Sequence, residues 1–303
     1  AVDITVRDNI IDIQAEKVFR ELVAAGNKLI IAADSGYLWT MQRLAAEHPD
    51  VRWEVVGLGD VADNIRTYAV RAYEGAWLAG VLAGKLSRTD TLGFIATLPV
   101  PDVVRNINAF TLGAQAVNPS ARVKVAWING WVDPVRETEA AQSLINSGAD
   151  VLLFNSATGD PLKVAERAGV NAISWGVDMS DVSAKAQVAA VGFNWTDYYV
   201  ESVREVAEKR WRPQSSWAGV REGRVDLVSL ASRLPEDVVK AVEEKRKELV
   251  AGKVQIWKGP LVSADDRELL PSGKVGDDAF LADLISYVKG VEGQIPSGQK
   301  EQH

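Results

Sequence analysis

The chain has no cysteine and only two histidines in 303 residues. Without thiols there is no disulfide framework, thiol nucleophile, Cys-ligated zinc or iron–sulfur cluster. His48 stands before Pro49 and His303 is the last residue, so a His-based triad or a multi-His metal centre is hard to build. Long apolar runs are missing too. The longest, such as 151–154, are strand-sized, far below the roughly 20 residues that cross a bilayer. The start shows neither a basic n-region nor an apolar h-region, as expected of a cytoplasmic protein or of an export product whose signal has been removed. The lack of Cys agrees with export or a hot habitat. Positive charge is in deficit: 34 Lys and Arg stand against 41 Asp and Glu, for a net charge of −7. With no basic block, the footprint of a nucleic-acid binder is absent.

What is abundant is tryptophan, ten residues against six Tyr and six Phe. A chain of this length makes about two domains of roughly 100–200 residues each. Short β-branched runs alternate with helical stretches, which is βαβ logic and implies parallel strands covered by helices. Strands are predicted at 2–6, 28–33, 51–57 and 91–96, with helices at 11–25, 37–47, 64–85 and 101–117. The helix at 11–25 carries Ile13, Val18, Phe19, Leu22 and Val23 on one face. The pattern breaks at Asn118-Pro119-Ser120 and restarts with strands at 122–127, 150–154, 170–175 and 187–193. Helices there are predicted at 134–147, 161–168 and 198–210. The tail reads as a strand at 224–229, a charged helix at 236–251, a strand at 253–257 and a helix at 277–289. The expected division is therefore a first α/β lobe at 1–117, a second at 118–229 and a crossover tail at 230–303 that returns to the first lobe.

Parallel α/β sheets bind ligands outside the carboxyl ends of their strands. Those ends hold Asp34, Tyr37 and Trp39; then Asp60; then Asp102; then Trp127 and Trp131. Further on they hold Asn155, Trp175 with Asp178, and Asn194 with Trp195; Trp217 follows a Ser pair. Six of the ten Trp thus fall at strand ends or in loops. Each alone is as readily a cap on a core edge, but six with Asp and Asn beside them suit a flat, polar-edged ligand: a nucleobase, a nucleoside or a sugar. No Walker-type loop, G-x-G-x-x-G, H-E-x-x-H or EF-hand loop is present, so no cofactor or metal is expected. Asp34, Asp60, Asp102 and Asp178 are candidate acid–base carboxylates, although helix N-caps are the commoner role for Asp60 and Asp102. The 243–248 charge cluster reads as a solvated helix face.

The run Asp63-Asn64, Tyr73-Glu74-Gly75-Ala76-Trp77-Leu78-Ala79-Gly80, Gly93-Phe94-Ile95, Asn108-Ala109-Phe110-Thr111-Leu112-Gly113 and Val117-Asn118-Pro119 resembles the basic membrane protein family. Trp131-Val132-Asp133-Pro134, Glu139-Ala140-Ala141, Gly176-Val177-Asp178, Asn194-Trp195 with Tyr198-Tyr199, and Gly259-Pro260 extend the likeness over most of the chain. The resemblance implies a type 1 periplasmic-binding-protein fold: two doubly wound parallel-sheet lobes joined by a hinge. It implies a solute-binding component of an ABC importer that takes a purine nucleoside or base between its lobes and presents it to permease subunits. It also implies a non-enzyme, a monomer, and an extracytoplasmic location with a lipid anchor on any Cys upstream of Ala1. Asp178 resembles the family's polar strand-end group, and Leu162 a substituted aromatic stacking position. Where nucleoside binders of the family carry Asp after the 91–96 strand, this chain has Leu98-Pro99-Val100-Pro101, so a bare base such as adenine is also implied. The 2–6 strand matches the family's second, as if one βα unit were absent from the start.

The expected ligand residues are Trp39, Trp127, Trp175 and Trp195 for stacking, Asp34, Asn155, Asp178 and Asn194 for polar reading, and Tyr37, Trp131 and Trp217 as walls. The rivals are a ligand-sensing receptor of the same fold, a sugar-binding protein, and a nucleoside hydrolase working through Asp34 and Asp178.

Overall fold

A computed structural model describes residues 2–59 and 62–297. In chain order these form α1 (Asp12–Ala24), β1 (Leu29–Ala32), a 3-10 turn (Ser35–Tyr37), α2 (Leu38–Glu47), β2 (Arg52–Val56) and β3 (Ile65–Val70). Next come α3 (Ala72–Leu86), β4 (Thr91–Ala96), α4 (Pro101–Gln115), β5 (Arg122–Trp127), α5 (Pro134–Asn146) and β6 (Val151–Phe154). They are followed by α6 (Asp160–Ala168), β7 (Asn171–Gly176), α7 (Ser180–Ser183), β8 (Gln187–Phe193), α8 (Thr196–Ala207) and β9 (Ser216–Ala218). The chain continues with β10 (Val225–Val228), α9 (Glu236–Val250), β11 (Leu261–Val262), β12 (Glu268–Leu270), α10 (Asp278–Ala282) and β13 (Val291–Glu292).

The chain divides into two units, one made of residues up to 70 with 194–218, the other of 71–193 with the chain from 219 onward. This corrects the boundaries expected from sequence. Residues 91–117 do not belong with the first unit, because β4 pairs with both β5 and β6 and so sits inside the second sheet. The tail likewise stays with the second unit, where β10 pairs with β8 and β13 with β5.

The first unit is a parallel sheet in the order β1-β2-β3-β9. Side chains alternate across β2, so Trp53 and Glu54, both fully buried, point to opposite faces. Trp53 packs with Phe19 of α1 and with Met41 and Leu44 of α2 in one apolar core. Glu54 faces α8 and Trp211: its carboxylate accepts from Ser202 Oγ at 2.9 Å and Trp211 Nε1 at 2.7 Å. Arg66 Nη1 lies 3.7 Å from it.

The second unit holds a seven-stranded sheet, β10-β8-β7-β6-β4-β5-β13, parallel except for β10. Helices α5 and α6 cover one core, with Leu144, Leu152, Phe154 and Leu162 inside it. Helices α3 and α4 meet through glycine. A Cβ on Gly80 would lie 2.0 Å from the Phe110 carbonyl oxygen, and one on Gly113 2.0 Å from that of Trp77. Backbone approach this close admits no side chain.

Four local expectations are corrected. The 64–85 helix is instead β3 followed by α3: Asn64 ties its amide to the carbonyls of Ala45, His48 and Val51, and Ile65 enters register opposite Trp53. Residues 2–6 alternate apolar and polar yet join none of the sheets, and Val2, Ile4 and Val6 are exposed. Alternation specifies a strand only where an edge supplies backbone partners. Ile13 is exposed and lies off the buried face of α1, which is carried by Ala15 and Phe19. In the tail, 253–257 is irregular and the 277–289 helix shrinks to α10, capped by the Asp277 carboxylate on Phe280 N.

Candidate functional site

In the first unit the strand ends gather aromatic rings. Tyr68 of β3 is buried, stacks on Tyr198 at 4.6 Å, and meets Trp195 and Tyr199 edge-on at 5.3 and 5.9 Å. Its hydroxyl donates to the Ala32 carbonyl at the end of β1 and lies 3.2 Å from Tyr199 Oη. Burial pushes the Tyr68 and Tyr198 phenols up, so both stay protonated donors at neutral pH. Trp195 and Tyr199 are half-buried and nearly parallel, 18° apart with centroids 6.3 Å apart. That spacing is below the ~7 Å needed to admit a third ring between two at van der Waals contact. The pair is therefore not a slot for a third ring but a half-buried aromatic surface beside Tyr68.

Of the other candidates in this unit, Trp217 donates its indole N–H to the Val70 carbonyl at 3.1 Å, and Asn194 Nδ2 donates to Asp197 at 3.0 Å. Tyr37 is a core residue: its ring meets Phe19 edge-on at 5.7 Å and its hydroxyl bonds the Ile10 carbonyl. Trp39 stands 71% exposed on α2 with the Arg43 guanidinium 5.5 Å over its ring, apart from the Tyr68 cluster. Asp34 caps the 3-10 turn by accepting from Gly36 N at 2.8 Å. Asp60 lies outside the described residues, but the loop leading to it is pinned at the Gly59 carbonyl by the hydroxyls of Thr67 and Ser215.

In the second unit the strand order reverses at β4: the chain steps to β5 on one side, then returns across β4 to β6 on the other. Such a switch point leaves a crevice at the carboxyl ends of the flanking strands. Here it is bordered by Thr97 after β4, Trp127 at the end of β5 and Asn155 after β6. Asn155 is nearly buried; its backbone N–H reaches the Ile95 carbonyl at 2.9 Å, and its side-chain oxygen accepts from Thr97 Oγ1 at 3.4 Å. Trp127 donates its indole N–H to Tyr287 Oη at 2.9 Å. Burial pushes the Tyr287 phenol up to about 12. Trp175 is half-buried against Phe193, edge-on at 5.8 Å, and Trp131 is exposed.

Asp178 is held in a turn of its own. The Ser229 hydroxyl above all, then the Ser180 amide and the Gln187 side chain, keep its carboxyl down at about 2. Asp102 is not a cap but a first-turn residue of α4, paired with Arg105 at 3.0 Å. Leu162 is fully buried in the α5/α6 core, with no surface for stacking. Among the described residues no group of three or more His, Asp or Glu could hold a metal ion, and no helix is long and apolar enough to cross a membrane. A helix over 64–85 hides Tyr68; the β-branched residues of the run Ile65 to Val70 are the signal for its strand.

An aromatic strand-end platform in one α/β unit and a polar switch-point crevice in the other are features of proteins that bind small molecules. Residues 2–258 match the PnrA-like substrate-binding proteins of ABC transporters, and the chain belongs to that family. It is 36% identical over 296 residues to a purine-binding protein of Brucella abortus, covering 97% of this chain and 84% of that one. It is 29% identical over 283 residues to a putative ABC transporter glucose-binding protein of Haloferax volcanii, covering 93% and 70%. Among solved structures, an ABC solute-binding protein from Conexibacter woesei superposes with a TM-score of 0.72 at 20% identity, covering 83% of this chain and 87% of that one. A transcriptional activator of the comK gene from Bacillus halodurans gives 0.71 at 22% identity, covering 81% and 86%. These two likenesses establish the α/β fold. The protein is an ABC solute-binding protein; its family role implies a small-molecule ligand, permease subunits as partners, and work outside the cytoplasmic membrane.

Proposed function

We propose that the ligand is a purine base or nucleoside and that the protein delivers it unchanged to its permease. The observation that carries this reading is the Trp195–Tyr199 platform beside Tyr68, which offers half-buried aromatic surface for a flat ring. The purine-binding relative supports the same ligand class. In the second unit, Asn155 and Thr97 supply donors and acceptors of the kind that read a ring edge or bond a hydroxyl. Delivery without chemistry is supported by the carboxylates: Asp34 and Asp178 are each committed to a turn.

The test is a thermal-shift and calorimetric screen with adenine, adenosine, guanosine and inosine against ribose, glucose and xylose. A purine is expected to raise the melting temperature. If a pentose or hexose does so while no purine does, the ligand assignment is wrong although the fold stands. Release of free base from adenosine or inosine by the pure protein would overturn the non-enzymatic reading.

A further inference from the structure

Glu137 on α5 is fully buried, yet no cationic side chain is within ion-pair distance of it among the described residues. Its carboxylate is instead filled by three donors from two different loops. Oε1 accepts from the Asp133 backbone N–H at 3.1 Å; Oε2 accepts from Ser156 Oγ at 2.8 Å and Thr158 Oγ1 at 2.5 Å. Asp133 is the N-cap of α5 and closes the loop after β5, the loop that carries Trp131. Ser156 and Thr158 belong to the loop after β6, which begins at Asn155. Arg136, one residue earlier on the helix, ties the Ile128 carbonyl to the same turn at 3.0 Å.

A carboxylate is a costly group to bury merely to hold a helix end, since the Asp133 side chain already caps α5 by accepting from Arg136 N at 3.0 Å. Glu137 does something the cap cannot: it joins the two loops on either side of the switch-point crevice through one rigid acceptor. We propose that Glu137 is a positioning residue for ligand binding, acting through Asn155 and the 129–133 loop by locking both strand-end loops to the first turn of α5. This rests on the ligand reading above only for its affinity consequence; the coupling of the loops stands apart from it.

The test uses the full chain and the variants Glu137→Gln, Ser156→Ala, Thr158→Val and Asn155→Ala, with adenosine and adenine as probes. Glutamine keeps the shape but loses one acceptor, so about tenfold weaker binding is expected, with Thr158→Val a few-fold weaker. Adding Glu137→Gln to Asn155→Ala should weaken binding by less than the product of the two single losses, because part of the Glu137 effect passes through the Asn155 loop. Hydrogen exchange on the ligand-free protein should show 129–133 and 155–159 loosening together in Glu137→Gln while β5 and β6 stay protected. Losses that multiply in the double variant, or loops that exchange independently, overturn the inference. If wild-type protein binds neither these probes nor guanosine or inosine, the ligand reading has failed, and the exchange experiment alone decides whether Glu137 couples the loops. Should Glu137→Gln fold poorly, Ser156→Ala and Thr158→Val each remove a single hydroxyl from the same carboxylate and carry the same expectation.

Discussion

Replacing Glu54 by alanine should unfold the first unit preferentially, and the reason lies in what the carboxylate leaves behind. Glu54 is fully buried and serves Ser202, Trp211 and Arg66, with the Tyr198 phenol a further neighbour of its carboxylate. Its Coulomb attraction to Arg66 at 3.7 Å is roughly 4.5 kcal/mol gross at an effective dielectric near 20, most of which is offset by desolvation. Arg66 keeps Glu205 at 2.7 Å and the Arg212 carbonyl, so it is not stranded in Glu54→Ala. Trp211 is: its indole N–H loses its acceptor inside the core, at about 1–3 kcal/mol. With the cavity of the missing side chain added, Glu54→Ala should cost about 3–4 kcal/mol. Glu54→Gln keeps the volume and the Trp211 bond and loses mainly the Arg66 attraction, so about 1–2 kcal/mol is expected. Urea unfolding gives the size, and hydrogen exchange gives the place, since two units need not unfold as one transition. Protection should fall in β2, β3 and α8 and persist in β4 to β8. Equal losses for Gln and Ala, or a loss spread evenly over both units, would refute the assignment of the cost to an orphaned indole.

Other expectations follow from single geometries. Gly113→Ala places a methyl carbon 2.0 Å from the Trp77 carbonyl, so the gain in helix propensity is overwhelmed and roughly 3 kcal/mol is lost, read as a lower melting temperature. Asp178 titrates near 2 in the folded chain, below its ordinary value; its contribution is therefore complete above about pH 4 and lost as pH falls toward 2. Melting temperature measured from pH 6 to 2 should fall less steeply for Asp178→Asn than for wild type; Glu16, held near 2 by Arg43 and Arg20, contributes with the same sign to both and cancels in the comparison. Trp195→Ala should lose ~1–3 kcal/mol of purine binding while Trp195→Tyr retains most of it. Trp39→Ala should leave affinity unchanged in the same titration, because Trp39 stands apart from the aromatic cluster on an exposed helix face.

The strands from β4 to β8 and helices α4, α5 and α6 were legible because most of these parallel strands are short apolar runs and each of these helices shows its own period, whereas the four-residue α7 is too short to show one. Trp127, Trp175, Trp195 and Asn155 were legible as strand-end residues for the same reason. Asp34, Tyr37 and Asp178 share that address but spend their polar groups on a turn cap, a core contact and a hydroxyl cluster; for Tyr37 and Asp178 partners distant in sequence, the Ile10 carbonyl and Ser229, decided this, whereas Asp34 is spent on Gly36 two residues on. The two buried glutamates, Glu54 and Glu137, could not be found by pattern. Their roles come from Ser202 and Trp211 in one case, and from Ser156 and Thr158 in the other.

Composition by itself denies this chain a thiol nucleophile or a disulfide, since it holds no cysteine, and leaves only two histidines for His-based chemistry. Local patterning settled the α/β class, because periodicity is a property of neighbouring residues. Tertiary structure decided where the chain divides and which strand ends adjoin. Those depend on pairing across long sequence separations: β4 between β5 and β6, and β9 returning beside β3 after more than a hundred residues. A strand's edge has no preference written in its own side chains. The partner that fills it is chosen only when the whole sheet assembles.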